Sequence, residues 1–419
     1  MYLKYRKRVV DEQLKELLAV AGFVVIEGPK AVGKTATARQ RAASIVALDT
    51  DADARTLAEI SPETLLHSPA PLLIDEWQLV PGFWSHVKRE VDTRQARGQF
   101  ILTGSSVPSD EITRDSAAGR VARIKMRPMS LYESTKNPGN MSLKALFAGR
   151  FSASLNSKVS LEDIVKIICK GGWPGNLDLS VQHAQLMMKA YVNELTSVDL
   201  QRISGIKFNK SNLERVLKSI ARNVGTKASD VTIGKDAVAN GNPINRELVA
   251  RYMESLERAM VLEPNPAWAP ALRSRDRLIG SSTHYFVDPA IAVAVMGTSS
   301  EALLSGEIKY LGFLFENLVI RDIRIHMQAM NGTVKQYRDS SGLEVDAIIE
   351  SSDNQWAVIE VKLGANQLDS AAENLLKFKA KIDTDYCGEP AFMAIVTATG
   401  STYQRKDGIY VIPISSLAP

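Results

Sequence analysis

The residues best suited to chemistry stand near the amino end. GPKAVGKT, residues 28 to 35, satisfies G-x-x-x-x-G-K-[ST] at every fixed position. Gly28 and Gly33 allow backbone N–H groups to curl around phosphate at a helix N-terminus, with Pro29, Lys30, Ala31 and Val32 as the loop between them. Lys34 is placed to reach the β- and γ-phosphates of a nucleotide, and Thr35 to offer its hydroxyl to Mg²⁺. An apolar run, Phe23 to Ile26, precedes the loop and helix formers follow it, so strand, loop and helix favour a phosphate site over a plain glycine turn. Further on, APLLIDEWQ ends an apolar run in Asp75 and Glu76. At the carboxyl end of a parallel strand, Asp75 could hold Mg²⁺ through water and Glu76 could polarise the attacking water. The simpler reading, two solvated acids, is disfavoured by the loop upstream. QFILTGSS follows, where Thr103 or Ser105 could meet the γ-phosphate or the lytic water, with a polar turn as an equal alternative.

A second set of reactive residues lies near the other end. In SGLEVDAIIE, Glu344 and Asp346 share one strand face, and in WAVIEVKLG, Glu360 and Lys362 do. A short turn at SSDNQ can bring Asp346, Glu360 and Lys362 together. Glu316, at helical spacing within GFLFENLVIRDIRIHMQ, can approach from a packed helix. Carboxylates with one lysine are what metal-assisted phosphodiester cleavage requires: hard oxygens for Mg²⁺ and a cation near the attacking water or the transition-state charge. On this reading Glu316, Asp346 and Glu360 are metal ligands, and Asp346, Glu360 and Lys362 are catalytic. An exposed Glu–Lys cross-face pair on an ordinary surface strand is the competing reading.

The elements that must position these residues follow from patterning. Three apolar runs ending at the loop, at Asp75 and at Thr103, separated by helical stretches such as FWSHVKREVDTRQARG, predict an α/β domain with a parallel sheet. KNPGNMSLKALFAGRFSASLNSK then marks a linker, and two helical segments separated by GGWP predict a small lid in which Trp173 and Pro174 pack and shape a turn. From residue 211 to 289, short helices and a terminal strand pair outline a winged helix, with Asn245, Arg246, Arg251 and Arg258 as candidate phosphate or base contacts and Arg273, Arg275 and Arg277 as wing residues. A protein-binding module with a solvated basic helix is the alternative.

Composition narrows the class. With 419 residues, 45% apolar and 23% charged, the chain is expected to fold as several globular domains. The formal charge of +4 is too small to imply nucleic acid by itself, and two distant cysteines, Cys169 and Cys387, point to neither a disulfide framework nor a zinc site. No export signal or membrane span is read, and cytoplasm is the expected compartment.

With these motifs in place, residues 1–135 resemble AAA-type P-loop ATPases, GPKAVGKT corresponding to Walker A, LLIDE to Walker B and the end of ILTGSS to sensor 1. The resemblance implies ATP and Mg²⁺, a possible homo-oligomer, and an arginine that senses the γ-phosphate from a neighbouring subunit. Arg120 is the candidate, with Arg114, Arg123 and Arg127 as rivals. The C-terminal residues resemble the PD-(D/E)XK nuclease fold, with Asp346 as the motif aspartate, Glu360-Val361-Lys362 as its E-x-K and Glu316 in the place of its helical glutamate; no proline precedes Asp346, a departure from the motif's first letter. The order GPKAVGKT, LLIDE, ILTGSS, GGWP, YFVDP, FENLV, SGLEVD, IEVK looks like a large prokaryotic family of ATP-binding proteins with a C-terminal domain of unknown function. The expected organisation is an ATPase domain over 1–135, a helical lid over 136–205, a winged-helix-like domain over 206–295 and a restriction-endonuclease-like α/β domain over 296–419. The expected activity is an ATPase coupled to a nuclease-like domain acting on DNA. The alternative is a nucleotide-gated switch or scaffold with an inactive nuclease-like fold.

Overall fold

The computed structural model describes residues 4–104, 117–135, 139, 141–155, 159–200, 209–238, 242–269 and 282–419. Five strands, β1 (Phe23–Glu27), β2 (Ser44–Ala47), β3 (Leu72–Asp75), β4 (Phe100–Gly104) and β5 (Val121–Lys125), form a sheet in the order β2-β3-β4-β1-β5, all parallel. Parallel strands reached through helical crossovers are covered on both faces. The three central strands show this as unbroken apolar runs, Phe23–Ile26, Leu72–Ile74 and Phe100–Leu102, each residue fully buried. At about 1.5–3 kcal/mol for each large aliphatic or aromatic side chain, these runs carry much of the domain's hydrophobic stabilisation. Because β3, β4 and β1 are adjacent and parallel, their carboxyl ends emerge on one edge, where Asp75 pairs in register with Thr103 and Glu27 with Gly104. The α/β parallel-sheet expectation holds for this part of the chain.

Beyond a short strand β6 (Met141–Ser142), helices Leu161–Lys170 and Val181–Glu194 flank the GGWP breaker. Three helices follow, Lys210–Arg222, Asp230–Asp236 and Arg246–Arg258, then the antiparallel pair β7 (Leu262–Asn265) and β8 (Thr283–Phe286). Each of the helices Asp230–Asp236 and Arg246–Arg258 starts at a side-chain cap, Ser229 and Asn245 respectively.

A 21-residue helix, Ile308–Gln328, then leads into a second, mixed sheet. Its strands are β9 (Thr333–Arg338), β10 (Glu344–Glu350), β11 (Trp356–Lys362), β12 (Met393–Thr397), β13 (Tyr403–Gln404) and β14 (Tyr410–Pro413), ordered β13-β14-β12-β11-β10-β9. β9, β10 and β11 form an antiparallel meander, and the helix Leu368–Lys381 carries the chain over to β12, which lies parallel to β11. One face of the meander packs on the long helix, the other on Leu368–Lys381 through Trp268, Trp356 and Phe378. The chain returns to the first half at β15 (Leu417–Ala418), which pairs with β6. Among the described residues no helix is long and apolar enough to cross a membrane.

Candidate functional site

The GPKAVGKT loop leaves the carboxyl end of β1 and enters the helix Lys34–Arg39. Gly28 passes so close to β5's extension that an added Cβ would lie 2.2 Å from the Met126 carbonyl oxygen, and Gly33, just before the helix, has φ 97°, a conformation side chains other than glycine rarely adopt. The sequence therefore requires glycine at both fixed positions for reasons independent of any ligand. Within this turn the Lys34 ammonium is buried, donating to the carbonyls of Gly28 (2.9 Å) and Pro29 (2.8 Å). Burial pushes its pKa down to about 8, against the opposing pull of Glu76 and Asp75.

Thr35, Asp75 and Thr103 converge. The Thr35 hydroxyl donates to Asp75 Oδ1 at 2.9 Å, and the buried Thr103 hydroxyl, one strand over, donates to the same oxygen. A hydroxyl and a carboxylate at a strand end beside a phosphate loop are hard oxygen donors, the chemistry that suits Mg²⁺ held together with nucleotide phosphate, so these residues fit that ion. Glu76 follows with φ 52°, an unusual left-handed conformation for a glutamate, and its carboxylate accepts from Gln78 Nε2. Such a held, strained residue at the end of a strand is a position where function commonly resides.

Beside the loop opens a cavity of about 1060 Å³, lined by Tyr5, Arg6, Gly33, Thr37, Tyr132 and Pro174 among others. The amino-terminal segment that forms one wall was not visible in the sequence as part of the site. Its anchor is Arg8, which is almost wholly buried: Nε pairs with Glu133 (3.1 Å), Nη1 donates to the Val32 carbonyl (2.9 Å) and Nη2 to the Arg127 carbonyl (2.8 Å). Burial would raise the Glu133 carboxyl, but Arg8 and the N–H groups of Val9 and Ser130 outweigh it and hold the group below the ordinary range. GGWP also reaches the cavity through Pro174, and its Trp173 Nε1 donates to the Lys30 carbonyl at 3.0 Å. Trp173 thus does more than shape its own turn.

GGWP is tied in turn to the long helix. Gly172 N donates to Asp288 Oδ2 (2.9 Å), which pairs with Arg321 Nη1 (2.6 Å); Arg321 also pairs with Asp322 (2.7 Å), and Asp322 Oδ2 accepts from Leu131 N (2.7 Å). All three charged side chains have at most 2% exposure, so one dry ionic cluster joins the GGWP segment, the stretch after β5 that holds Leu131 and the helix that carries Glu316. A second junction is Glu263, held well below the ordinary range, despite burial, by Arg127, Arg324 and Lys125.

The candidate arginines fall in different places. Arg120 precedes β5, and its carbonyl accepts from Gly22 N and Phe23 N at the amino end of β1, so the side chain, paired with Asp92, lies at the end of the sheet opposite its own phosphate loop. It is not part of the nucleotide site of its own chain. Arg123 pairs with Glu27, and Arg127 with Glu263 and Gln328 Oε1. Ser105, Arg114 and the wing residues Arg273, Arg275 and Arg277 lie outside the described residues. Asn245 spends its side-chain oxygen capping its helix, accepting from Leu248 N at 2.8 Å. On that helix Arg246, Arg251 and Arg258 are balanced by Glu247, Glu254 and Glu257, so its formal charge is zero.

At the second site the strand geometry expected from the sequence is present. Past the Ala347–Ile359 pair, Asp346 Oδ2 accepts from Val361 N (2.7 Å), and a bulge in the β9–β10 pairing between Val345 and Ile348 falls at this point, re-aiming the strand. Lys362 Nζ lies 2.6 Å from Glu360 Oε2 and 3.6 Å from Asp346 Oδ2, and the other Glu360 oxygen accepts from Asn374 Nδ2 (2.7 Å). Glu316 Oε1 accepts from Tyr285 Oη at 2.5 Å. Burial, then Asp346, pushes Glu360 up to about 8; the same causes push Glu316 well above its usual range, while Asp346 and Glu360 overcome burial to raise Lys362. The three acids and the lysine therefore form one interacting cluster. It departs from the metal expectation in one respect: among the described residues no group of three or more His, Cys, Asp or Glu is arranged to hold a metal ion, and the Lys362 ammonium stands between Asp346 and Glu360.

Residues 21–135 match the AAA domain family, residues 161–302 a domain of unknown function (DUF8612), and residues 311–417 another (DUF4143). No curated protein matches the chain. Among solved structures, similarity is found to the Walker-type ATPase PABY2304 of Pyrococcus abyssi (14% identity, 70% of this chain and 99% of that one, TM-score 0.43). AMPPCP-bound DnaA from Aquifex aeolicus follows at 15% identity, 59% and 86% coverage and TM-score 0.27. A signal transduction ATPase with numerous domains from Pyrococcus horikoshii gives 11% identity, 77% and 48% coverage and TM-score 0.20. All three fall below the similarity at which anything follows for this chain. The family match, the five-stranded parallel sheet and the geometry of Lys34, Thr35 and Asp75 together identify the amino-terminal part of the chain as an ATP-binding, AAA-type P-loop ATPase domain.

Proposed function

We propose that the chain is a Mg²⁺-dependent ATPase whose nucleotide state is passed, through the lid and the Asp288–Arg321–Asp322 cluster, to a C-terminal nuclease-like domain acting on DNA. The observation that carries the ATPase reading is the buried Lys34 ammonium, whose hydrogen-bond partners among the described residues are neutral carbonyls and which gains a full counter-charge when a triphosphate enters the loop. In the reaction Lys34 binds the β- and γ-phosphates, the base and ribose occupy the cavity lined by Tyr5, Tyr132 and Pro174, and Glu76 orients the attacking water. Thr35 and Asp75 would hold Mg²⁺, and Thr103 fixes the Asp75 carboxylate from the neighbouring strand. The ion's contribution is neutralisation of charge developing on the phosphoryl oxygens. Arg120 reaches a nucleotide only if a second copy presents it, which makes a homo-oligomer part of this reading.

Support for nuclease chemistry is the clustering of Asp346, Glu360, Lys362 and Glu316 around adjoining strands. The position of Lys362 favours a second reading: its ammonium already lies against both Asp346 and Glu360, the acids that would hold a divalent cation, which suits a nuclease-like fold that serves as a nucleotide-gated switch or scaffold. Supercoiled, linear and single-stranded DNA incubated with Mg²⁺ or Mn²⁺ and ATP separates the two. Cleavage lost in Glu360→Ala supports the nuclease; intact DNA in every form supports the switch.

A further inference from the structure

Four carbonyl groups of the phosphate loop accept side-chain hydrogen bonds, and they fall into two sets. Those of Gly28 and Pro29 accept from Lys34, a residue of the loop itself. Those of Lys30 and Val32 accept from side chains distant in sequence, Trp173 Nε1 at 3.0 Å and Arg8 Nη1 at 2.9 Å. A trans peptide group is planar, so a carbonyl and the N–H that follows it point in opposite directions. Fixing the Lys30 carbonyl toward Trp173 turns the Ala31 N–H away from Trp173, and fixing the Val32 carbonyl toward Arg8 does the same for the Gly33 N–H. Both residues, Ala31 at φ 61° and Gly33 at φ 97°, have the left-handed backbone from which anion-binding N–H nests are built.

We propose that Trp173 and Arg8 are positioning residues for the ATPase reaction: they hold two loop carbonyls outward and thereby aim the Ala31 and Gly33 N–H groups at the nucleotide phosphates. The inference rests on the reading of this loop as the phosphate site. Both side chains are themselves fixed. Trp173 is 3% exposed, with its ring centroid 5.2 Å from that of Tyr191, and the preceding Gly172 is held at both ends, its N–H by Asp288 and its carbonyl by Met129 N. Arg8 is locked by its buried pair with Glu133 and its bond to the Arg127 carbonyl. Neither has its donor from the loop's own sequence, so the shape of the phosphate site depends on the amino-terminal segment and the lid being docked. A loop that loses these donors keeps its glycines and Lys34, but its two outward carbonyls are free to rotate toward other donors and carry the amides off the phosphate.

Trp173→Phe removes the indole donor and keeps the ring, and Arg8→Lys keeps the charge while losing the geometry of the guanidinium. On the full chain, inhibition constants for tripolyphosphate and for adenosine are measured by displacement of a fluorescent ATP analogue, with kcat and KM for ATP alongside. Loss of one hydrogen bond corresponds to about a fivefold to tenfold effect. The expected result for Trp173→Phe is that order of weakening for tripolyphosphate and of increase in KM, with adenosine binding unchanged and kcat at saturation within about twofold. Unchanged tripolyphosphate binding, or equal weakening for adenosine, overturns the inference. If Arg8→Lys does not fold, Trp173→Phe alone decides it. A wild-type chain that binds neither ATP nor tripolyphosphate overturns the loop reading and this inference with it, whereas normal wild-type affinity with an unmoved Trp173→Phe overturns the inference alone.

Discussion

The phosphate loop and the C-terminal carboxylate cluster are both places where charge has been taken out of water, and they are unbalanced in opposite directions. At the loop a buried lysine donates, among the described residues, to neutral carbonyls, and burial lowers its pKa to about 8. At the cluster three acids share one lysine, and burial with Asp346 raises Glu360 to about 8 and Glu316 well above its ordinary range. Each site is short of the counter-charge that its proposed ligand carries: an anion at Lys34, a cation at Glu316, Asp346 and Glu360. The difference lies in what fills the gap without ligand. Lys34 has neutral carbonyls that yield to phosphate, whereas the carboxylates already have Lys362, which a divalent cation must displace. The first site is therefore the better prepared of the two.

The largest effect that sharpens this contrast is on chemistry at the loop. Glu76→Gln keeps shape and removes the base, and should lower kcat for ATP about 10²- to 10⁴-fold with ATP affinity retained. Less than a tenfold fall in a single-turnover assay would break the assignment of Glu76. Next comes the link between the regions. Arg321→Met leaves Asp288 and Asp322 buried and unpaired, which should cost about 3–5 kcal/mol in denaturant unfolding. A cost under about 1 kcal/mol would mean that the cluster does not hold the two halves together.

The pH dependences should have opposite signs. Below pH 8 Lys34 already carries its proton, but above it ATP binding must take one up, so affinity should fall by as much as tenfold per pH unit as pH rises past about 8, and this slope should be absent for adenosine, which brings no phosphate to Lys34. At the cluster a divalent cation must expel protons, so Mn²⁺ affinity should increase with pH up to about 8 and lose that slope in Glu360→Gln; calorimetry in two buffers of different ionisation enthalpy reads both. Glu360 also carries a stability signature. An acid whose pKa is raised by folding contributes a loss of stability as pH climbs from its unfolded value near 4.5 to about 8, and bound Mn²⁺ should flatten that decline. Parallel pH slopes at the two sites would remove the contrast. The smallest effect is that of Tyr285→Phe, which takes one donor from Glu316 and should cost about 0.5–1.5 kcal/mol of stability while leaving the KM for ATP unchanged.

What could be read from the sequence was whatever is encoded locally. GPKAVGKT needs its glycines because of a close backbone approach at Gly28 and a positive φ at Gly33, and an apolar strand ending in Asp75 puts an acid at the carboxyl edge of a parallel sheet. Period-two patterning likewise put Asp346, Glu360 and Lys362 on two adjoining strands. What could not be read depends on pairings across long stretches of chain. Arg8 sits in YRKRVV, indistinguishable from a solvated basic run until Glu133 and the Val32 carbonyl surround it. Trp173 lies 143 residues from the carbonyl it binds. That Arg120 stands at the end of the sheet away from its own loop follows from the pairing of β5 with β1, which local sequence does not encode. The placement of Lys362 between Asp346 and Glu360 is a side-chain choice that alternation alone does not encode. A hint existed at YFVDP and FENLVIRD, where Asp288, Arg321 and Asp322 interrupt apolar surroundings, because charges in such places are seldom buried unless paired.

The central claim is that the buried ammonium of Lys34 is waiting for a triphosphate. Calorimetric titration of wild type and Lys34→Ala with ATP and Mg²⁺, both proteins checked for equal thermal stability, tests it directly. The account predicts saturable binding and hydrolysis by the wild type and loss of both in the variant. A Lys34→Ala chain that binds and hydrolyses ATP as the wild type does would contradict it.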